Sequence, residues 1–411
     1  MSTNVEFHRL TFVPERDDVM VGCPDIDSYA VFPPDGVALL QHLAGGCTPV
    51  EAAAWYEASY GQPIDIEDFL ATLHDLGFVR DAGGFAAEDQ PSAAPVRFQR
   101  LGRAAFSLMA ALCYAGLAVS CAYLIVSRPE LRPRPQNVFF TSSLILVQVA
   151  VFVGQIGGIA WHETFHVLAG RRLGVPSRIR VGRRLYFVVV ETALDGLLSV
   201  TRGRRYLPFL AGMLADVIFF SGLTLAAAAT ETRGGPLAWP GRLFLALAYL
   251  TLLRLAWQFY LFLRTDLYYV FATLLGCSDL HDASRAYLRN RLWALVGRPE
   301  RMVDEDAWSA RDRSMARWYA PLAILGALAL TVVTAVGVLP IVGQCLVRVV
   351  HGLTAGRGGT PRFWDAVVFV LFTGVQVGLL IAVSFIPWIR GRRRPARDRA
   401  TVSPSMKGAP S

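Results

Sequence analysis

The residues with the clearest capacity for chemistry are Trp161-His162-Glu163-Thr164-Phe165-His166, which contain the spacing HExxH. On a helix, residues four apart lie one turn apart on one face, so both imidazoles can bind one zinc ion. Glu163 sits beside them, placed to take a proton from water acidified by the metal and to return one to a departing amine. The motif closes a long apolar run, where three ionisable groups within five residues are costly unless they have work to do. The bland alternative is a polar helix end facing water.

A catalytic zinc needs a third protein ligand and an open position. His8, His42 and His74 lie in a polar N-terminal stretch, and His351 falls on the opposite side of the membrane by the orientation derived below. That leaves His281 in reserve and the carboxylates of Asp195, Asp216 and Asp266, with Asp279 and Asp282 less well placed. Asp266 ends an apolar run that points the same way as the run ending in HExxH, so the two ends share a depth. This favours Asp266 without excluding the others. Asp195 follows a strand-like stretch at 185–190 and could approach on a hairpin. Asp216 lies nearly three turns into an apolar run, where partnership with Arg254 is the more ordinary role than ligation.

The elements that must position these groups belong to a bilayer. Hydrophobic residues make up 54% of the 411, charged residues only 18%, and mean hydropathy is +0.40, which excludes a soluble secreted protein. Six apolar runs read as spans, at about 104–126, 138–170, 206–229, 243–263, 320–346 and 364–389. The net charge of +8 is carried by arginines gathered at 171–205, 265–318 and 390–399, at the ends of these runs. That placement points to membrane orientation and argues against nucleic acid as a partner. It puts both termini and the two long loops in the cytoplasm of a multi-pass cell-membrane protein. The six cysteines form no CxxC pair and read as small reduced hydrophobes.

Ahead of the spans, residues 1–84 read as a small α+β domain. Strand-like pieces at 9–13 and 28–32 precede three helices and a closing strand, Phe78-Val79-Arg80. Thr48-Pro49-Val50-Glu51 is a capping box with proline at the first helical position, and Asp65 caps the third helix. This order predicts a winged-helix-like module. The remaining expectations are a linker at 85–103, a catalytic membrane core at 104–290, a cytoplasmic loop at 291–318, two further spans at 319–389 and a disordered basic tail at 390–411. The fold class is thus an α-helical polytopic membrane protein with about six transmembrane helices and a small N-terminal domain.

With these residues in view, the chain resembles the site-2 protease class of intramembrane zinc metalloproteases, and within it the bacterial peptide zinc metalloprotease branch. The carrying segments are His162–Val175, Leu210-Ala211-Gly212-Met213-Leu214-Ala215-Asp216, and Asp266-Leu267-Tyr268-Tyr269-Val270 with Leu274-Leu275-Gly276. The resemblance implies zinc as cofactor, Glu163 as catalytic residue, and His162, His166 and Asp266 as ligands; Asp216 and, from the residue reading alone, Asp195 stand as accessory candidates. Leu267 stands where the family has glycine, and Met213 where it has proline. The N-terminal module resembles PqqD-like domains, which bind leader peptides of ribosomally made, modified peptides by adding a strand.

The implied function is hydrolysis of a peptide or leader peptide during maturation, with modification enzymes or an exporter as further partners and the oligomeric state left open. Two alternatives stand beside it. One is a non-catalytic tether or immunity partner that binds such a peptide, which would have no need of Glu163. The other is a regulatory protease that cuts a signalling protein in the membrane.

Overall fold

The computed structural model describes residues 4–15, 18–24, 26, 28–80, 96–184, 187–194, 196–231, 237–277, 279–305, 308–355 and 360–390. The N-terminal domain opens with an antiparallel meander, β1 (Thr11–Glu15), β2 (Asp18–Cys23) and β3 (Ser28–Phe32). Phe32 pairs with Val19 and Ala30 with Val21, so Ala30, Phe32 and Val21 face a common core. Three helices follow: α1 (Pro34–Ala44), α2 (Pro49–Tyr60) and α3 (Ile66–Asp75). The Thr48–Glu51 capping box opens α2, and those reciprocal bonds hold the Glu51 carboxyl below its ordinary pKa. Asp65 accepts the amides of Glu67 and Asp68 to open α3. The chain then returns to pair Val79 with Phe7. The strand β2 lies between the two strand pieces named from the sequence.

Helices α4 (Gln99–Ala105) and α5 (Leu108–Ser127) split the first expected span at Phe106-Ser107, where Ser107 caps α5 through the Ala110 amide. The second span is α6 (Leu144–Arg172), which carries HExxH. Its N-terminus is capped from another helix: Asp365 accepts the Leu144 and Ile145 amides at 2.7 and 3.3 Å. A hairpin of β4 (Arg178–Arg184) and β5 (Phe187–Ala193) follows, then α7 (Arg202–Ala229) and α8 (Trp239–Trp257). After these come α9 (Asp266–Leu275), α10 (Leu280–Leu295), α11 (Ala310–Val333), α12 (Leu339–Ala355) and α13 (Pro361–Arg390).

Five helices among the described residues are long and apolar enough to cross a bilayer: Leu108–Ser127, Leu144–Arg172, Arg202–Ala229, Ala310–Thr354 and Pro361–Ala382. The chain is a membrane protein on this ground. The fourth apolar run departs from expectation. Its helix stops at Trp257, the rest of the run is irregular, with a 3₁₀ turn at Leu261–Leu263, and it is not among the five. The fifth run also departs, because its helix begins at Ala310, inside the expected loop. It continues for 45 residues, about 67 Å at 1.5 Å per residue. Pro340 has no N–H to give, and the helix loosens just before it into a π-turn at Thr334–Val338. There the buried Tyr249 hydroxyl donates to the Gly337 carbonyl at 2.9 Å. The expected tail from 391 lies outside the described residues.

The N-terminal domain docks on the end of the bundle that holds HExxH. Arg205, in the first turn of α7, pairs with Glu15 of β1 and donates to the carbonyls of Val200 and Leu198 at 2.7 and 2.8 Å. Thr11 meets Ser199 hydroxyl to hydroxyl at 3.0 Å. In the sequence Arg205 is one of the orienting charges at 171–205. Buried as it is, it is instead one bolt of the domain interface.

Where α9, α10 and α11 meet, carboxylates crowd together. Burial, then the charges of Asp312 and Asp282, push Asp279 up to about 6, with Arg264 opposing. Its folded pKa exceeds its unfolded value of about 3.9, so stability is greatest when it is protonated and falls as pH rises from about 4 to 6. Asp279→Asn is therefore expected to raise stability in detergent by about 1 kcal/mol at pH 7.5, after allowance for solvent screening, and to change little at pH 4. Thermal unfolding at the two pH values checks this; an equal shift at both would assign the effect to helix capping.

Candidate metal centre

Helix α6 presents His162, Glu163 and His166, all buried, at 6%, 5% and 7% exposure. What lets α7 lie close against this face is a run of small residues. Ala211, Gly212 and Ala215 pack with Phe165 and Ala169, and the Trp161 indole donates to the Ala215 carbonyl at 3.0 Å. Gly212 is the tightest point. A Cβ there would stand 2.3 Å from Nε2 of both His162 and His166.

The third group arrives from α9. The chain reverses after α8 through the turn Leu261–Leu263 and Arg264, whose φ of 54° places a non-glycine residue in the left-handed region. Gln258 fixes this reversal from both of its ends. Its backbone carbonyl accepts the Thr265 hydroxyl at 2.7 Å, and its side-chain oxygen accepts the Asp266 amide at 3.1 Å. Asp266 then opens α9, with Oδ2 3.1 Å from His162 Nε2 and 3.2 Å from His166 Nε2. The two Nε2 atoms are themselves 3.1 Å apart.

This triangle is what a tetrahedral ion demands. Bonds of 2.0–2.1 Å imply ligand-to-ligand edges of about 3.3 Å. The tautomers agree. His162 Nδ1 lies 3.0 Å from the Asp216 carboxylate, and His166 Nδ1 lies 2.7 Å from the Pro208 carbonyl. Both partners accept hydrogen bonds, so each ring in its neutral form carries its proton on Nδ1 and turns a lone pair on Nε2 toward Asp266. With both rings neutral, three acceptors converge on one point, and a cation is the chemical complement. Among the described residues, no other group of His, Cys, Asp or Glu meets in this way.

Beside the triangle, Glu163 Oε2 accepts the hydroxyl of Thr192, on β5, at 2.6 Å. That bond holds the carboxylate in orientation.

The remaining candidates fall elsewhere. Asp216 does not join the triangle; it stands behind His162, wholly buried, and also takes Arg254. His281 lies on α10 with its ring against Tyr268, where burial lowers it to about 4 and keeps it neutral. Asp282 pairs with Arg264. Asp195 lies outside the described residues. Sequence reasoning gave no role to Gly212, Gln258 or Thr192. Gly212 sits in a visible small-residue run, Leu210–Ala215, which could have flagged it. A lone Gln and a lone Thr carry no comparable signal.

No protein-family model, curated protein or solved structure matches this chain. Its chemistry has to be argued from the geometry.

Proposed function

We propose that the protein is a membrane-embedded zinc metallopeptidase that hydrolyses a peptide bond in a peptide or leader-peptide substrate. The observation that carries this reading is three lone pairs converging at tetrahedral spacing, one residue away from a carboxylate. His162, His166 and Asp266 would hold the zinc, which when bound supplies a Lewis acid that acidifies water and polarises a carbonyl. Glu163, oriented by Thr192, takes up the proton released as water attacks and hands it to the departing amine. Gly212 lets α7 close over the histidines with no side chain driven into their Nε2 atoms.

The docked N-terminal domain supports delivery of the substrate. Its β1 lies against the turn Leu197–Ser199, only a few residues beyond Thr192, so a peptide held by the domain is held close to Glu163. In the order β1-β2-β3 the outer strands β1 and β3 are the sheet edges for capture by strand addition, the mode suggested by the PqqD-like resemblance. By the placement of arginines, the site and both termini would face the cytoplasm of a cell membrane, which requires α8 to cross as a sixth span. The PqqD-like resemblance favours a precursor of a modified peptide as substrate, with its modifying enzymes or exporter as neighbours.

The test is metal content together with cleavage. Purified protein should hold about one zinc per chain and cut an extended precursor peptide, and a chelator should stop cleavage until zinc is restored. His166→Ala and Asp266→Ala should each lose most of the zinc, because three ligands leave no spare donor. Stoichiometric zinc in Asp266→Ala would remove the aspartate from the ligand set.

A further inference from the structure

Resting on the zinc reading above, we infer that Arg254 is a positioning residue for the metal centre. Through Asp216 it fixes the ring of His162, and so sets how tightly the site holds its ion.

The geometry joins three helices in one line. On α8, Arg254 donates from Nε and Nη2 to the same oxygen of Asp216, Oδ1, at 2.9 and 2.7 Å. On α7, Asp216 turns its other oxygen, Oδ2, to His162 Nδ1 at 3.0 Å. On α6, Gln155 accepts the remaining Arg254 nitrogen, Nη1, at 3.0 Å. Gln155 and His162 are seven residues apart, two turns on one helix face, and Gly158 lies between them. A Cβ at Gly158 would come within 2.6 Å of Arg254 Nη1, so the glycine is what lets the guanidinium lie along the face that ends in the ligand.

Burial of a full charge pair in an apolar bundle needs a reason, since an interhelical contact between apolar side chains would hold α7 to α8 at less cost. The reason lies in the inequality of the two histidines. His166 rests on a neutral backbone carbonyl, whereas His162 rests on a carboxylate. A carboxylate acceptor strengthens the imidazole as a donor to metal and holds its plane, but only while it stays against the ring. Asp216 has no exposed surface, so without Arg254 it would be a buried anion with no counter-charge. The arginine keeps it in place, and its fork fixes the direction of the unused oxygen.

The experiment is zinc affinity by chelator competition on the purified full chain in detergent, with the visible spectrum of the cobalt-substituted protein as a second readout. Arg254→Met should weaken zinc binding by about 10–100-fold and shift the cobalt bands, since the geometry at His162 changes. Arg254→Lys, which restores the charge without the fork, should fall between. In an Asp216→Asn background, Arg254→Met should add little, because the arginine acts through that carboxylate. If Arg254→Met fails to fold, Gln155→Leu removes only the outer brace and should still weaken zinc by several-fold. Unchanged affinity and an unchanged cobalt spectrum in Arg254→Met or Gln155→Leu, even with lowered thermal stability, would reduce the pair to a packing contact and overturn the inference alone. An unmodified chain that binds neither ion would overturn the metal reading and this inference with it.

Discussion

Gly212→Ala protein is expected to fold and to hold almost no metal. The added methyl would stand 2.3 Å from both Nε2 atoms, in the space toward which those lone pairs point. Relief would require α7 to move from α6 at the place where Ala211, Ala215, Phe165 and Ala169 pack most closely. The substitution does not otherwise harm the helix, since alanine is favoured over glycine in a helix interior by about 1 kcal/mol. Helical content should therefore persist while zinc per chain falls from about one to a small fraction of that, as read by elemental analysis. Retention of full zinc and full cleavage by this variant would show that the ion sits somewhere else.

Glu163→Gln is expected to separate binding from turnover. The amide oxygen can still accept the Thr192 hydroxyl, so the side chain should keep its place, and the three ligands are untouched. Zinc content should match the unmodified protein. Cleavage should fall by about 10²–10⁴-fold, the usual worth of a positioned general acid–base group. Cells carrying the variant should accumulate uncut precursor. If the variant matures or exports the peptide as well as the unmodified protein does, the motif is structural and the tether function replaces hydrolysis.

How much of this was legible beforehand depends on how local each feature is. The pairing of His162 with His166 could be read directly, because four residues on one helix fix the distance between two rings. The capping box at Thr48 and the Asp65 cap were legible for the same reason, being bonds across three residues. Asp266 needed one step more, the inference that two runs end at a shared depth. The structure places Asp266 beside the histidines, but by a route that inference did not contain: a helix that stops at Trp257, and a reversal held by Gln258. Apolar residues in that reversal, Leu261 and Leu263, made the run look like continuous helix, since hydropathy reports burial and not backbone conformation. The early start of α11 escaped for the converse reason, its first turns being polar though helical.

The sequence by itself determined that this is a chain for a membrane, with a small mixed domain ahead of its apolar helices and two imidazoles and a carboxylate on one helix end. These follow from composition and from periodicities shorter than two turns. Tertiary structure alone decided which carboxylate completes the triangle, and that Asp216 serves His162 from behind instead of joining it. It alone decided that Gly212 keeps the space clear and that Thr192 reaches Glu163 from a hairpin. The physical reason is range: these contacts join residues 29 to 104 positions apart, and their spacing is set by how closely α6, α7 and α9 pack, which no local pattern encodes.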